Sequence, residues 1–170
     1  MTGPRRNLAP AFGIAALVLA VDQLAKYAVT GPLGLTVEGD QLTLLPIFNF
    51  TFRTNVGISL GLLQANGATG RWLLVALTGA IAGGILWWIF HEKQPGERAT
   101  LGLVLGGALG NIADRARLGY VVDFLDLHFG AWRPFYVFNV ADAAISIGVG
   151  ILLLRALFAK KATQEIQDHA

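Results

Sequence analysis

The sequence contains no cysteine, and only 14% of its 170 residues are charged. The absence of cysteine excludes disulfides, thiolate metal sites and a thiol nucleophile. The charged fraction is well below the roughly 25% that is common in soluble domains. Hydrophobic residues, in contrast, make up 54% of the chain. This composition predicts a membrane protein.

Several site types are also missing from the sequence. The net charge is only +2 and the basic residues are scattered, so we expect no nucleic-acid partner. No serine stands in a G-x-S-x-G motif, and no H-E-x-x-H motif occurs. The histidines are far apart, and a metal held by His128 with Asp123 and Asp126 is a weak alternative. We therefore expect no metal and no cofactor.

Four apolar segments are long enough to cross a hydrocarbon core, which takes about 20 helical residues. They cover residues 10–29, 71–90, 99–117 and 138–158, and the third is the least apolar. The first follows two arginines as a secretory signal peptide would, but Asp22 and Lys26 interrupt the region where cleavage is expected. We expect an uncleaved first span and a single membrane domain over residues 1–170.

The charges outside these spans predict cytoplasmic termini. Cytoplasmic segments of membrane proteins carry an excess of lysine and arginine. An even number of spans places both termini on one side with the 91–98 loop, and the excess on that side is modest. The basic residues of that side are Arg5, Arg6, Lys93, Arg98, Lys160 and Lys161, and those of the opposite loops are Arg53, Arg117 and Arg133.

Glycines recur at helical spacing inside the spans. They form two series, Gly102, Gly106 and Gly110 in one span and Gly79 and Gly83 in another. Small residues four apart let helix backbones approach closely. Both series therefore predict a compact helix bundle.

The segment between the first two spans predicts a small β platform over about residues 35–66. The stretch "FNFTFR" at 48–53 alternates, which places three phenylalanines on one face of a strand. The stretch "LTLLP" at 42–46 is its expected partner, and "GISLGLLQANG" at 57–67 is typical of a short amphipathic helix. The apolar face fits either a cap over the helix ends or a platform lying on the bilayer.

Polar residues within or beside the spans are expected to face the bundle interior and to mark function. Asp22 and Lys26 are four residues apart in the order that favours an ion pair, so they predict a local tether. An Asn-x-x-Asp spacing occurs twice, and the two polar faces can meet if the helices pack together. These residues are Asn111 with Asp114, and Asn139 with Asp142.

Two carboxylates are candidates for acid and base chemistry. Asp123 stands among bulky apolar residues, which raises the expected pKa of its carboxyl, and a second carboxylate nearby would raise it further. We expect Asp123 on an outer loop and Asp142 at the outer start of the last span, at one membrane face. Asp114 is expected to stay ionised beside Arg115 and Arg117. A proton- or ion-coupled transporter and a non-catalytic assembly factor remain alternatives.

The chain resembles the lipoprotein signal peptidases (signal peptidase II), aspartic peptidases of the bacterial inner membrane. The resemblance rests on "DQLAK", "NVGISLGLL", "GGALGNIADRARLGYVVDF" and "FNVADAAISIG", in that order along nearly the whole chain. The last two segments, at this spacing, are the most specific. Ile58 and Leu60 depart from the residues expected there, which affects the expected substrate fit and leaves the carboxylates unchanged.

The apolar segments and the strand pattern predict an all-α polytopic fold with four transmembrane helices, an extracytoplasmic β platform and a short amphipathic helix, and we expect a monomer among membrane lipids. The resemblance implies cleavage of diacylglyceryl-modified prolipoproteins just before the lipidated cysteine. It implies that Asp123 and Asp142 are the catalytic pair. The expected substrate-binding or supporting residues are Asn55, Gly57, Asn111, Asp114, Arg115, Asn139, Asp22 and Lys26.

Overall fold

The computed structural model describes residues 7–57 and 67–168, with the side chains of the last helix as far as residue 158. The helices are α1 (Ala9–Thr30), α2 (Gly67–His91), α3 (Pro95–Leu118) and α4 (Val140–Asp168). The strands are β1 (Gln41–Leu45), β2 (Phe48–Asn55) and β3 (Val121–Leu127). The prediction of an all-α fold was therefore wrong in one respect, because the segment expected as an outer loop around Asp123 is a strand.

Each predicted span corresponds to a helix, but the helices differ in hydropathy. Within the described residues, three helical segments are long and apolar enough to cross a membrane: Ala9–Thr30, Gly67–His91 and Val140–Phe158. Helix α3 does not reach that hydropathy. It packs against α1, α2 and α4, so much of its surface contacts protein and includes buried polar side chains.

The end of α3 sets the position of β3. Gly119 follows the helix with φ of 89°, a left-handed conformation that glycine adopts without the penalty of a Cβ, and its N–H donates to the carbonyl of Arg115. Strand β3 begins two residues later, at Val121. The short turn therefore places β3 close to the polar end of α3.

One glycine series forms the contact between α3 and α1. A Cβ at Gly106 would lie 2.6 Å from the carbonyl oxygen of Ala15, and the position of Gly102 is closed by the Ala11 backbone. A Cβ at Gly79 or Gly83 would meet nothing within 4 Å among the described residues. The packing prediction is confirmed for the α3 series, and the structure does not support it for α2.

The three strands form an antiparallel sheet in the order β1-β2-β3, with Arg53 opposite Asp123. Phe52 is buried against the end of α1, next to Val29. The register shifts between Phe50 and Arg53, and this irregularity breaks the predicted alternation. The predicted strand at 42–46 is confirmed as β1. The predicted amphipathic helix at 57–67 falls almost entirely on residues 58–66, outside the described residues.

The glycine contact gives a test with a matched control. We expect Gly106→Ala to destabilise the protein, because the new methyl group would collide with the α1 backbone at Ala15. Gly79→Ala meets open space, so we expect no loss and a gain of up to about 1 kcal/mol from helix propensity. Denaturant titration in detergent measures both. Equal stability of the two variants would contradict the packing.

Candidate active site

Asp123 and Asp142 line one cavity of about 1040 Å³. Its walls come from the end of β2, from the segment before α4 and from the first turns of α4. Asp123 enters from β3, whereas Asp142 enters from α4. The structure thus brings together two carboxylates that are 19 positions apart in the sequence.

Asp123 is almost fully buried, with 4% of its surface exposed. Its Oδ1 accepts a hydrogen bond of 2.6 Å from the Asn139 amide, and its Oδ2 accepts one of 3.1 Å from the Asn55 amide. Burial raises the pKa of Asp123 to about 7, and the charge of Asp142 adds to this effect. The carboxyl of Asp123 therefore holds a proton in mildly acidic solution, where an exposed aspartate would be ionised.

Asp142 is part of a capping box at the start of α4. The Asp142 N–H donates to Asn139 Oδ1 over 2.9 Å, and the Asn139 N–H donates in return to Asp142 Oδ2 over 3.3 Å. This reciprocal pair satisfies backbone donors that the first turn of a helix leaves free. The Asn-x-x-Asp pair at 139–142 therefore caps the start of α4 and also directs the Asp142 side chain into the cavity.

Two asparagines connect the two carboxylates. The Asn111 amide donates to Asp142 Oδ1 over 2.8 Å, and Asn111 Oδ1 accepts from the Asn139 amide over 3.2 Å. The same Asn139 amide donates to Asp123. The expectation that the two Asn-x-x-Asp faces meet is confirmed for Asn111, Asn139 and Asp142. Asp114 points to a different set of partners.

Below this layer lies a buried ion cluster. The Lys26 Nζ is 2.8 Å from Asp22 Oδ2 and 2.7 Å from Asp114 Oδ2. The expected local tether on α1 is therefore also a bridge to α3. The cation that pairs with Asp114 is Lys26 on α1, where sequence proximity suggested Arg115 and Arg117.

Each carboxylate of this cluster also fixes backbone elsewhere. Asp22 Oδ1 accepts from the N–H of Ala141, in the first turn of α4, over 2.9 Å. Asp114 Oδ2 accepts from the N–H of Val122, next to Asp123, over 3.2 Å. The cluster therefore holds both of the elements that carry the cavity carboxylates.

Of the remaining predicted residues, Asn55 and Gly57 line the same cavity and Arg115 contacts Gly57. Asn55 Oδ1 accepts from the Gly57 N–H over 3.1 Å, which turns the Asn55 amide toward Asp123. Arg115 donates to the Gly57 carbonyl over 2.7 Å and is close enough to Asp142 to interact with its charge. All ten predicted site residues thus belong to one connected region.

Two features were missed by sequence reasoning. Gln23 donates to Asp114 Oδ1 over 2.9 Å, and its position as a polar residue inside the first span was the available signal. Asp126 is buried and paired with Arg133.

His128 lies beside the Asn49 amide, and the described residues contain no group of three or more side chains suited to a metal.

The overall fold matches solved membrane enzymes. A bacterial membrane enzyme solved by the in meso method at 2.3 Å resolution aligns with a TM-score of 0.79 and 27% identity, over 96% of each chain. A second, at 1.9 Å resolution, aligns with a TM-score of 0.74 over 92% of this chain and 97% of the other. The fold is therefore that of a membrane-embedded enzyme.

Sequence comparison identifies the family. Residues 14–158 match the model of signal peptidase (SPase) II. The lipoprotein signal peptidase of Rhizorhabdus wittichii is 55% identical over 88% of this chain and 87% of its own length. That of Sphingopyxis alaskensis is 51% identical over 86% and 85%. The chain belongs to the signal peptidase II family of aspartic peptidases, which favours the peptidase prediction over the transporter and assembly-factor alternatives.

The ion cluster gives a stability test. We expect Lys26→Met to cost about 3–5 kcal/mol of unfolding free energy, because it leaves Asp22 and Asp114 buried without their cation. The matched control is Arg53→Met, which removes the half-exposed pair with Glu38 and is expected to cost at most about 1 kcal/mol. Denaturant titration in detergent measures both, and a Lys26→Met loss as small as the control's would refute the bridging role.

Proposed function

We propose that Asp123 and Asp142 are the catalytic pair of this peptidase. The observation that carries the proposal is that both carboxylates line one cavity and are joined through the Asn139 side chain and backbone. The raised pKa of Asp123 supports it further, because acid and base chemistry needs a proton that is available near neutral pH.

Peptide hydrolysis by this pair uses one ionised and one protonated carboxyl. The ionised carboxylate takes a proton from a water molecule, whose oxygen attacks the scissile carbonyl carbon, and the protonated group donates toward the carbonyl oxygen. The departing amide nitrogen is then protonated as the C–N bond breaks. The proton is shared by two interacting groups, so its titration belongs to the pair rather than to one residue.

Supporting residues keep this geometry fixed. Asn55, Asn111 and Asn139 each donate to a catalytic carboxylate. Gly57 and Arg115 hold the strand end from which Asn55 projects. The buried ion cluster holds the first turn of α4 and the start of β3. Its members are Asp22, Lys26 and Asp114.

The substrate we propose is a prolipoprotein with a diacylglyceryl-modified cysteine, cleaved just before that cysteine. The similar proteins named lipoprotein signal peptidases support this substrate class. Apolar side chains along one side of the cavity, among them Phe135, Val137 and Ile147, are suited to acyl chains or to an apolar signal peptide.

We further propose four membrane spans with cytoplasmic termini and the sheet outside the bacterial inner membrane, as a monomer. Helix α3 is the fourth span, because it lies among three apolar helices and needs little lipid-facing surface of its own. The positive charge of the terminal side supports the orientation. Helix α3 contacts each of the other three described helices, which supports a single membrane domain.

The test is cleavage of a lipid-modified prolipoprotein by detergent-purified protein. We expect Asp123→Asn and Asp142→Asn each to lower the rate at least about 10³-fold, because either change removes a carboxyl that transfers protons. The control is Asp40→Asn, since Asp40 lies outside the cavity and binds the backbone of its own turn. An unlipidated precursor in the same assay is expected to remain uncut.

Thermal unfolding must first show that both cavity variants are folded. A folded Asp123→Asn or Asp142→Asn protein that cleaves at the rate of Asp40→Asn would disprove the catalytic pair. Equal cleavage of lipidated and unlipidated precursors would disprove recognition of the acyl chains while leaving the pair in place.

A further inference from the structure

A short chain segment separates the cavity of the two aspartates from a second cavity. Residues 134–137, here called the wall segment, line both cavities, and so does Arg53. The second cavity has a volume of about 670 Å³ and lies over β1 and β2. Phe135 and Tyr136 in the wall segment are exposed, Tyr136 to 83%. The position of this segment therefore sets the shape of the substrate cavity.

The wall segment has no hydrogen-bonded structure of its own. Among the described residues, no backbone hydrogen bond joins 134–137 to another element. At its C-terminal end, Phe138 exchanges backbone hydrogen bonds with Leu125 on β3, at 3.1 Å and 2.7 Å. Since the backbone of the segment pairs with none of the described residues, we expect its position to depend on what holds its two ends.

The N-terminal end is held by an ion pair. Arg133 donates from Nε to Asp126 Oδ1 over 3.0 Å and from Nη2 to Asp126 Oδ2 over 3.4 Å. A two-pronged contact of this kind fixes direction as well as distance. Arg133 immediately precedes the wall segment, so the ion pair and Phe138 clamp both of its ends to β3.

Asp126 is itself held firmly in place, so it can anchor Arg133. It is only 1% exposed, and its Oδ2 also accepts from the Thr51 hydroxyl of β2 over 2.9 Å. Burial opposes its ionisation, but the hydrogen bonds from Arg133 and Thr51 lower the pKa of Asp126 below its usual value. Asp126 lines the second cavity and not the cavity of Asp123 and Asp142.

We propose that Asp126 and Arg133 are positioning residues for substrate binding: their ion pair holds the wall segment so that the cavity fits the chain around the scissile bond. This inference rests on the proposed function. The ion pair touches neither proposed catalytic carboxylate, so its loss is expected to weaken substrate binding while the proton-transfer step continues.

A spin label tests the anchoring without relying on activity. The chain has no cysteine, so Tyr136→Cys provides a single labelling site in the wall segment. We expect the nitroxide to become more mobile when Asp126→Asn is added. Arg117→Ala, which removes an exposed arginine at the end of α3, is the control and is expected to leave the label unchanged. Unchanged label mobility in Asp126→Asn would overturn the anchoring.

Kinetics on the otherwise native chain test the consequence. We expect Asp126→Asn to raise KM for the lipid-modified prolipoprotein about tenfold with kcat within about twofold of wild type. Arg133→Lys keeps the charge but loses the two-pronged contact, so an intermediate KM is expected. A fall in kcat at constant KM would overturn the positioning role. Absence of cleavage by the wild type would instead refute the proposed function, and the label measurement would still decide the anchoring.

Discussion

The site depends on the contacts of the buried Lys26 ammonium group with two carboxylates. The ammonium group lies between Asp22 on α1 and Asp114 on α3, within 2.8 Å of a carboxylate oxygen of each. Two carboxylates buried at these depths would be costly without a cationic partner, and Lys26 contacts both while each also accepts a hydrogen bond from backbone. Through Ala141 and Val122 these bonds fix the start of α4 and the start of β3. Helix packing, sheet placement and the cavity carboxylates are thus connected by one polar cluster.

The carboxyl groups of Asp123 and Asp142, which we propose carry out the chemistry, also make the hydrogen bonds that position them in the fold. Asp142 caps its own helix through Oδ2 and receives the Asn111 amide at Oδ1, so its direction is set by α3 as well as by α4. Asp123 has amide donors on both oxygens, yet burial and the charge of Asp142 raise its pKa to about 7. The folded state therefore binds a proton that the unfolded chain would release, and the contribution of Asp123 to the free energy of unfolding falls as pH rises from about 4 to about 7.

Much of this arrangement could be predicted from the sequence, since apolar length predicted the four helices and polar residues in and beside the apolar runs predicted most of the polar side chains around the cavity. The choice of Asp123 over Asp114 as the partner of Asp142 rested on the family resemblance. The strand character of β3 was missed because its apolar residues follow a helix closely and its partner lies some 70 positions earlier. The partner of Asp114 was missed for the same reason: Lys26 is distant in sequence, whereas two arginines are adjacent. The proposed role of Asp126 depends on Arg133 folding back onto β3 and on Thr51 of the distant strand β2, and neither contact follows from a periodic pattern of residues. Glycine spacing alone also did not separate the packed series on α3 from the open one on α2.

We infer that this polar cluster holds Asp123 and Asp142 so that the two carboxylates share one proton near neutral pH. Infrared difference titration of the detergent-purified protein, comparing wild type with Asp123→Asn, tests it directly, since protonated and ionised carboxyl groups absorb at different frequencies. We expect a carboxyl group in the wild type that loses its proton near pH 7 and is missing from the variant. If the carboxyl signal that the variant lacks came from a group already ionised by about pH 5, as exposed aspartates are, the shared proton would be disproved.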